Sequence, residues 1–425
     1  MFAIGLIFFG LVLFGIPIFV SLGLTSLVGL WLTEDVPLAV IAAKTASASD
    51  NFILLAIPLF MLTGSLMSCG GIAQRLFDLA RVLVGHMTGG LAQVNVAFSV
   101  LNGGISGSSA ADAALDCKVI IPQMRADGYP AAFSGAITGA SAMLANIIPP
   151  SIAMLIYASL ANASVGKLFF AGIIPGVFMA LAISITALRT CRRMGYGRPA
   201  SKPSAKEVFT AFRRSALALI IPVIVVGGIR FGYFTPTEAG AVAAVITWAL
   251  GTLVYRELKF RDLPGIFART AVDTGVIMLI ISFSAPFSLV LAYNQIPQQF
   301  AAFFASFGSS KLIFLLAVNV FLIIGGALME GVTLLILTTP LLAPVAAALG
   351  IDPIHFGMVV VFNVVLGSIT PPFGQLVYVV SSLTKIQPEA IFWEVLRFLP
   401  LLFLALGLVT YLPQSYLWTV HFFGP

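Results

Sequence analysis

The chain has 425 residues, of which 60% are hydrophobic and 9% are charged, and its mean hydropathy is +1.07. Soluble domains are nearer half apolar and about a quarter charged, so this composition excludes an ordinary soluble protein. The net charge of +6 does not indicate nucleic-acid binding, because the basic residues gather in two local clusters that serve as a topology signal.

Apolar stretches close to the ~20 residues needed to cross a bilayer recur along the whole chain. The first, 2–31, has no basic start and exceeds the ~7–15 apolar residues of a signal-peptide core. We therefore predict a membrane segment there, kinked or broken near Pro17. The later stretches are 52–67, 168–190, 215–233, 239–255, 276–293 and 391–412. The sequence predicts an all-α polytopic protein embedded in a lipid bilayer.

Two segments have the pattern of helices that lie on the membrane surface. In 72–87, polar residues recur at helical spacing opposite a row of apolar residues, which suits the interface. Segment 260–274 is similar, but Pro264 interrupts it. Each segment is either a cytoplasmic connector or a rigid arm that links moving and fixed parts.

Basic residues form two clusters with two apolar stretches between them, so both clusters belong on one side of the membrane. The positive-inside rule makes that side the cytoplasm. Binding of anionic lipid by the first cluster is the weaker alternative. The clusters are Arg189, Arg192, Arg193, Arg198, Lys202, Lys206, Arg213 and Arg214, and then Arg256, Lys259, Arg261 and Arg269.

The chain repeats itself at a fixed offset. Gly103-Gly104, Pro122 and Pro149-Pro150 recur as Gly325-Gly326, Pro344 and Pro371-Pro372, each 222 residues later. Duplicated halves with matched breaks are typical of secondary transporters, and we favour inverted halves. The predicted organisation is N-terminal membrane segments over 1–51, repeats over 52–191 and 261–412, a basic loop over 192–214, scaffold helices over 215–260 and a tail over 413–425.

Each half contains two interruptions of its apolar pattern. The first is a Gly-rich turn, 102–111 or 325–331, whose apolar flanks are short for a full span, which predicts two re-entrant hairpins. The second is a Pro-Pro pair, in "NIIPPS" at 146–151 and "SITPPFG" at 368–374. Adjacent prolines remove two amide donors and disfavour helix before them, which predicts two broken helices.

These breaks are suited to holding ions. Carbonyls upstream of the prolines lose their partners and, with nearby hydroxyls, could surround a desolvated Na⁺. A half-helix begins downstream of each pair, and its positive end could face a carboxylate. The candidate ligands are Gly103, Ser106, Ser108 and Asn146 in a first sodium site, and Gly325, Gly326, Ser368 and Thr370 in a second. The predicted substrate cavity adds Asn102, Ser109, Pro149, Pro150, Glu330, Pro371, Pro372 and Gly374.

Alternative roles exist for several of these residues. Small residues commonly only let helices pack closely, although the matched breaks favour a site. Asp112 could serve an ion or pair with Lys118, and Glu330 could serve an ion from its hairpin tip. Asp273 is expected to cap or anchor its segment at the cytoplasmic face.

The motifs give little support for an enzyme. The chain has no GxxxxGK[ST], HExxH or GxSxG pattern, so neither ATP hydrolysis nor a cofactor is expected. An intramembrane enzyme that uses Asp112 or Glu330 is a weak alternative, because no paired acid stands at a defined spacing. The three cysteines and three histidines are scattered, which predicts free thiols and no zinc site.

The chain resembles the large membrane subunit of tripartite ATP-independent periplasmic (TRAP) transporters. In the first half the matching stretches are "GISGSSAADAA" at 104–114, "IIPPSIAMLIY" at 147–157 and "GKLFFAGIIPG" at 166–176. Further along they are "TPTEAGAVAA" at 235–244, "ILTTPLLAPVAAALGIDPIHFG" at 336–357 and "TPPFG" at 370–374. These stretches run through most of the chain, and their joint occurrence is specific.

The resemblance implies an importer of the bacterial inner membrane with sodium as coupling ion. Its substrate would be a small organic acid (a C4-dicarboxylate, sugar acid, sialic acid or keto acid) delivered by a periplasmic substrate-binding protein. A small four-helix membrane subunit would accompany it, and an elevator movement is implied. The resemblance also implies where the family's sodium sites would lie in this sequence. One would be formed by Ser106 and Ser108 with the facing break, and the other by Gly325, Gly326, Ser368 and Thr370. A stand-alone sodium/dicarboxylate carrier that needs no binding protein is the alternative.

Overall fold

A computed structural model describes residues 2–31, 37–197, 201–299, 302 and 310–423. Arg198 of the first basic cluster lies outside the described residues, as do parts of the predicted segments 1–51, 261–412 and 413–425. The described part of the chain is helical and contains no strand, so the all-α prediction is confirmed.

The first half of the chain forms eleven α-helices. They are α1 Phe2–Leu13, α2 Ile18–Trp31, α3 Leu38–Ser49, α4 Ala56–Cys69, α5 Ile72–Val84, α6 Gly90–Ser106, α7 Ser109–Val119, α8 Ile121–Ala126, α9 Ala131–Ala142, α10 Ile152–Ala161 and α11 Val165–Met194. Between α1 and α2 the chain breaks over Phe14–Pro17, at the predicted kink.

The remaining described helices follow the basic loop. They are α12 Ala205–Arg230, α13 Pro236–Ala249, α14 Leu263–Tyr293, α15 Lys311–Leu328, α16 Gly331–Ala348, α17 Pro353–Gly367, α18 Gln375–Thr384, α19 Pro388–Val395, α20 Leu399–Tyr411 and α21 Gln414–Phe423.

Seven described helical segments are long and apolar enough to cross a membrane, and α19 with α20, bent by 58°, would make an eighth. The seven are Phe52–Cys69, Val165–Met194, Ala205–Arg230, Pro236–Val254, Phe260–Tyr293, Lys311–Leu328 and Gly331–Ala348. The polytopic membrane architecture predicted from the sequence is therefore confirmed.

The two segments predicted to lie on the membrane surface have different outcomes. Helix α5 is amphipathic, since Ile72 and Leu76 are buried and Asp78 is exposed. It packs between α6 and α12. In the second segment, residues 263–274 begin the 31-residue helix α14, and their placement on the membrane surface stays a prediction. Pro264 does not interrupt that helix, since proline is tolerated in a first helical turn.

The most deeply buried helices are α9 and α17, which directly precede the two Pro-Pro pairs. Every residue from Phe133 to Ala142 is buried, and so is every residue from Ile354 to Gly367. A helix that is apolar and buried all round belongs in the centre of a helical assembly. Both halves thus present the same order of elements, a two-helix hairpin, a buried helix, a Pro-Pro break and a short helix.

The remaining helices form a second group beside these elements. Helix α14 packs on α2 and α3, and α4 packs on α13. The two groups meet where α4 contacts α6 and where α14 contacts α16. This junction positions the candidate site.

Candidate functional site

The tip of the first hairpin is shorter than the predicted turn over 102–111. Helix α6 continues to Ser106 and α7 begins at Ser109, so only Gly107 and Ser108 are non-helical. Gly107 has φ +60°, and a Cβ atom there would lie 2.8 Å from the carbonyl oxygen of Pro150. The Ser108 hydroxyl caps α7 by accepting a hydrogen bond of 3.5 Å from the amide of Ala111. The tip therefore fits tightly against the first Pro-Pro break.

The second hairpin tip is formed by Met329 and Glu330. The Glu330 carboxylate caps α16, accepting hydrogen bonds from the amides of Val332 at 3.0 Å and Thr333 at 2.7 Å. Helices α15 and α16 have 18 residues each, about 27 Å of helix. The prediction of short flanks was wrong for this hairpin, and its re-entrance stays a prediction.

Both Pro-Pro bonds are cis, and a backbone hydrogen bond ties each break to its hairpin. The amide of Ile152 donates to the carbonyl oxygen of Gly107 at 3.2 Å. In the second half the amide of Phe373 donates to the carbonyl oxygen of Ala327 at 2.9 Å. Hairpin tip and break are therefore one connected unit in each half.

Some carbonyls at the breaks are less free than predicted. The carbonyl oxygen of Asn146 accepts a hydrogen bond of 2.6 Å from the hydroxyl of Ser151. The carbonyl oxygen of Ser368 accepts one of 2.9 Å from the amide of Leu376. The prediction that these carbonyls lack partners was wrong, because polar groups just downstream of the prolines turn back to satisfy them.

A cavity of about 1360 Å³ lies between the two hairpin tips, the breaks and α14. Six of the predicted site residues line it: Ser106, Ser108, Ser109, Asn146, Glu330 and Ser368. The other ten lie outside its lining: Asn102, Gly103, Pro149, Pro150, Gly325, Gly326, Thr370, Pro371, Pro372 and Gly374. The structure thus brings side chains from both predicted sodium sites to one space.

The first turns of four helices converge on this cavity. Its lining includes Ser109 of α7, Ile152 of α10, Gly331 of α16 and Gln375 of α18. The amides of a first helical turn carry partial positive charge, worth about 0.3–1 kcal/mol for an anion at each helix end. Glu330 already compensates α16 and Asp112 stands in the first turn of α7, whereas Ser151 and Gly374 begin α10 and α18 with no acidic residue in the first turn. The cavity is therefore suited to an anion.

Hydroxyl and amide oxygens supply a different kind of ligand at the same place. The hydroxyl oxygens of Ser106 and Ser109 are buried and have no hydrogen-bond partner among the described residues. The Asn146 side-chain oxygen accepts a 3.3 Å hydrogen bond from the amide of Ser109. Oxygen atoms of this kind fit a hard cation.

Close packing explains the glycines that were predicted as ligands. A Cβ atom on Gly103 would lie 2.7 Å from the Cα atom of Ala145. Gly325 and Gly326 lie inside α15, and a Cβ atom on Gly326 would lie 2.9 Å from the Cα atom of Gly367. Gly103 and Gly326 therefore let the hairpin arms approach the backbone of the neighbouring segments, whereas a Cβ atom on Gly325 would lie 2.8 Å from the Leu334 side chain in the other arm of its hairpin.

Charged residues that were not predicted as site residues also line the cavity. Lys118 and Arg269 do so, and neither side chain forms an ion pair or hydrogen bond with a described residue. The suggested pairing of Lys118 with Asp112 was wrong, because Asp112 accepts its hydrogen bond from Asn102. Asp273 does not cap its segment, since it lies well inside α14 and on the cavity wall, and its anchoring role at the cytoplasmic face stays a prediction.

The three cysteines are free thiols, as predicted. Cys69 is exposed and lines the cavity, whereas Cys117 and Cys191 are buried. The described residues contain no cluster of histidine, cysteine and acidic side chains that could hold a metal such as zinc.

Comparison with known proteins decides the family. The family model described as "Tripartite ATP-independent periplasmic transporter, DctM component" matches residues 6–415. The chain belongs to this family. It is therefore a multi-pass protein of the inner membrane, and the resemblance drawn from the sequence is confirmed.

Full-length relatives support the same assignment. The chain is 39% identical to the sialic acid TRAP transporter large permease protein SiaM of Vibrio cholerae, over 95% of both proteins. It is 37% identical to the C4-dicarboxylate TRAP transporter large permease protein DctM of Rhodobacter capsulatus, over 96% of this chain and 97% of that protein.

A solved structure shares the fold. The YdaH transporter of Alcanivorax borkumensis superposes with a TM-score of 0.65 over 89% of this chain and 88% of that one, at 14% identity. At 14% identity this likeness shows that the two proteins share a fold, and it carries no information about function.

Proposed function

We propose that this TRAP large permease imports a small organic acid together with sodium ions. The observation that carries the proposal is the convergence of four helix N-termini and two sets of hydroxyl oxygens on one cavity. Helix N-termini favour a carboxylate, while hydroxyl and amide oxygens favour Na⁺. The same space can thus hold both the substrate and its coupling ions.

Sodium would bind at the two hairpin tips. In the first proposed site, Ser106, Ser108 and Asn146 line the cavity, whereas Gly103 lies outside its lining. In the second proposed site, Ser368 lines the cavity, whereas Gly325, Gly326 and Thr370 lie outside its lining. A bound cation next to the substrate carboxylate would offset the cost of removing that carboxylate from water.

The relatives support an organic acid as substrate without choosing one. One is named for sialic acid and another for C4-dicarboxylates, and both kinds of molecule carry carboxylates. By the same relationship, a periplasmic substrate-binding protein would deliver the substrate and a small four-helix membrane subunit would complete the transporter.

We infer that this cavity belongs to an inward-facing state. Arg261 and Arg269 belong to the basic cluster predicted to be cytoplasmic, and both line the cavity. An opening on their side would release substrate into the cytoplasm. In the elevator movement that we propose, the hairpins, α9 and α17 would slide against α4 and α14 to expose the tips to the periplasm.

Reconstitution tests the proposal. Proteoliposomes containing this chain and its small subunit, with the binding protein outside, are loaded with sodium-free buffer and given radiolabelled sialic acid or succinate. We expect uptake of at least one acid with external NaCl and none with external choline chloride. Undiminished uptake in choline chloride would refute sodium coupling. Uptake without the binding protein would instead support a stand-alone carrier.

A further inference from the structure

Two acidic side chains are buried inside the first hairpin, away from the cavity lining. Asp112 and Asp116 are both fully buried, and their spacing of four residues places them on the same face of α7. Two like charges at this spacing repel each other, and burial removes the water that would weaken the repulsion. The pair therefore needs a compensating partner.

Neutral donors on α6 satisfy only half of the carboxylate oxygens. The Asn102 amide nitrogen donates to Oδ1 of Asp112, and the Ser99 hydroxyl donates to Oδ2 of Asp116 at 3.1 Å. Oδ2 of Asp112, Oδ1 of Asp116 and Oδ1 of Asn102 are buried and have no partner among the described residues.

No described basic side chain neutralises the pair. The elements packed against α7 are α4, α6, α8, α9, α18 and the short turn Met143–Asn146. Their only basic residue is Arg125 of α8, and α7 itself carries Lys118, which lines the cavity. Neither forms an ion pair with Asp112 or Asp116. Two uncompensated carboxylates at this depth would cost several kcal/mol each.

The unpartnered amide oxygen of Asn102 indicates which kind of group compensates the charge of Asp112 and Asp116. Asn102 is 1% exposed and lies against Asp112, and its oxygen requires a hydrogen-bond donor or a cation. All the available ligand atoms are oxygens, which hard cations prefer. Mg²⁺ keeps several water ligands, and Ca²⁺ takes about six to eight oxygens, whereas only three oxygens of this group lack a partner among the described residues.

We propose that Asp112, Asp116, Asn102 and Ser99 bind a sodium ion between α6 and α7, in a site separate from the hairpin tips. The ion would join the two arms of the first hairpin, because its ligands come from both. The site is particular to this half of the chain. At the 222-residue offset the second hairpin has Leu334 and Thr338, and the Thr338 hydroxyl bonds the carbonyl oxygen of Leu334 at 2.7 Å. The proposal does not depend on sodium driving transport.

Sodium binding to the purified, detergent-solubilised chain tests the site. We expect Asp116→Asn to lower the ²²Na⁺ bound at saturation by about one ion per chain. We expect Ser106→Ala/Ser108→Ala to retain that ion. Asp78→Asn, which neutralises an exposed acid on α5, is the matched control and should bind as the wild type does.

Thermal unfolding shows whether a variant loses sodium binding only because it fails to fold. The Asp116→Asn side chain keeps an acceptor for Ser99 and loses one buried charge, so in sodium-free buffer its unfolding temperature should rise above that of the wild type. Added NaCl should raise the unfolding temperature of the variant less than it raises that of the wild type. We expect the same behaviour from Asp112→Asn. Unchanged sodium binding in both variants would overturn the proposal. So would a wild-type stability that depends on pH but not on sodium, which would indicate a protonated pair.

Discussion

Gly326 and Gly367 meet backbone to backbone, since a Cβ atom built on Gly367 would lie 2.6 Å from the Cα atom of Gly326. This contact holds the second hairpin against the buried helix α17, one residue before the break begins at Ser368. Any side chain at this point must push the hairpin away from the helix. The position of the second tip therefore depends on two residues that make no polar contact with the cavity.

We predict that Gly367→Ala destabilises the second half and impairs transport. Inserting a methyl group into close packing costs about 1–3 kcal/mol, which a lowered unfolding temperature in detergent would report. The matched control is Gly227→Ala in α12, where a Cβ atom would meet nothing within 4 Å. Alanine there should leave stability unchanged or raise it by up to about 1 kcal/mol. Equal shifts for the two variants would contradict the proposed contact.

We predict that Ser108→Ala raises the sodium concentration needed for half-maximal uptake. Its hydroxyl lines the cavity and caps α7, so the variant also loses a cap worth about 0.5–2 kcal/mol. Ser204→Ala is the matched control, because Ser204 caps α12 through a 3.2 Å bond from Glu207 and does not line the cavity. If both variants keep the wild-type sodium response, the serine has no role in sodium binding.

We predict that Lys118→Gln and Arg269→Gln slow the uptake of an organic acid. Both cations line the cavity without a partner among the described residues, so they attract an anion that enters it. Both side chains are exposed, and an exposed charge contributes up to about fivefold to such binding. The measurement is initial uptake against substrate concentration, with the exposed Lys206→Gln as control. An unaltered concentration dependence would show that these cations do not act on the substrate.

We predict that Arg75→Ala loosens α5 from the helices around it. The Arg75 guanidinium contacts the Glu257 carboxylate at 2.8 Å and lies 3.8 Å from the centre of the Tyr255 ring. The pair is partly exposed, so the expected loss is only about 1 kcal/mol, from the ion pair and the cation–π contact together. Arg81→Ala, on the exposed side of the same helix, should leave the unfolding temperature unchanged. A loss no larger than that of the control would argue against an anchoring role.

The membrane segments and the interruptions could be predicted because their causes are local. Hydrophobic length marks a span, and Pro149-Pro150 removes helical hydrogen bonds whatever surrounds it. Pro264 was misread because the same residue either breaks a helix or begins one, and only the rest of α14 decides which.

The walls of the cavity could not be predicted in the same way. Arg269 and Asp273 become cavity residues because α14 packs beside the hairpin tips, and no local pattern encodes that meeting. The roles of Gly103 and Gly326 likewise depend on Ala145 and Gly367, which are distant in sequence. The sequence was enough to predict which residue types lie near the site. The residues that they contact could be identified only from the tertiary structure.

Cys69 offers a native probe of the movement that we propose for this permease. Of the three thiols it alone is exposed, and it lies on the face that borders the cavity. A water-soluble maleimide should label it while leaving Cys117 and Cys191 unmodified. Alternating access could thus be followed by the rate of a single alkylation in the unmutated chain.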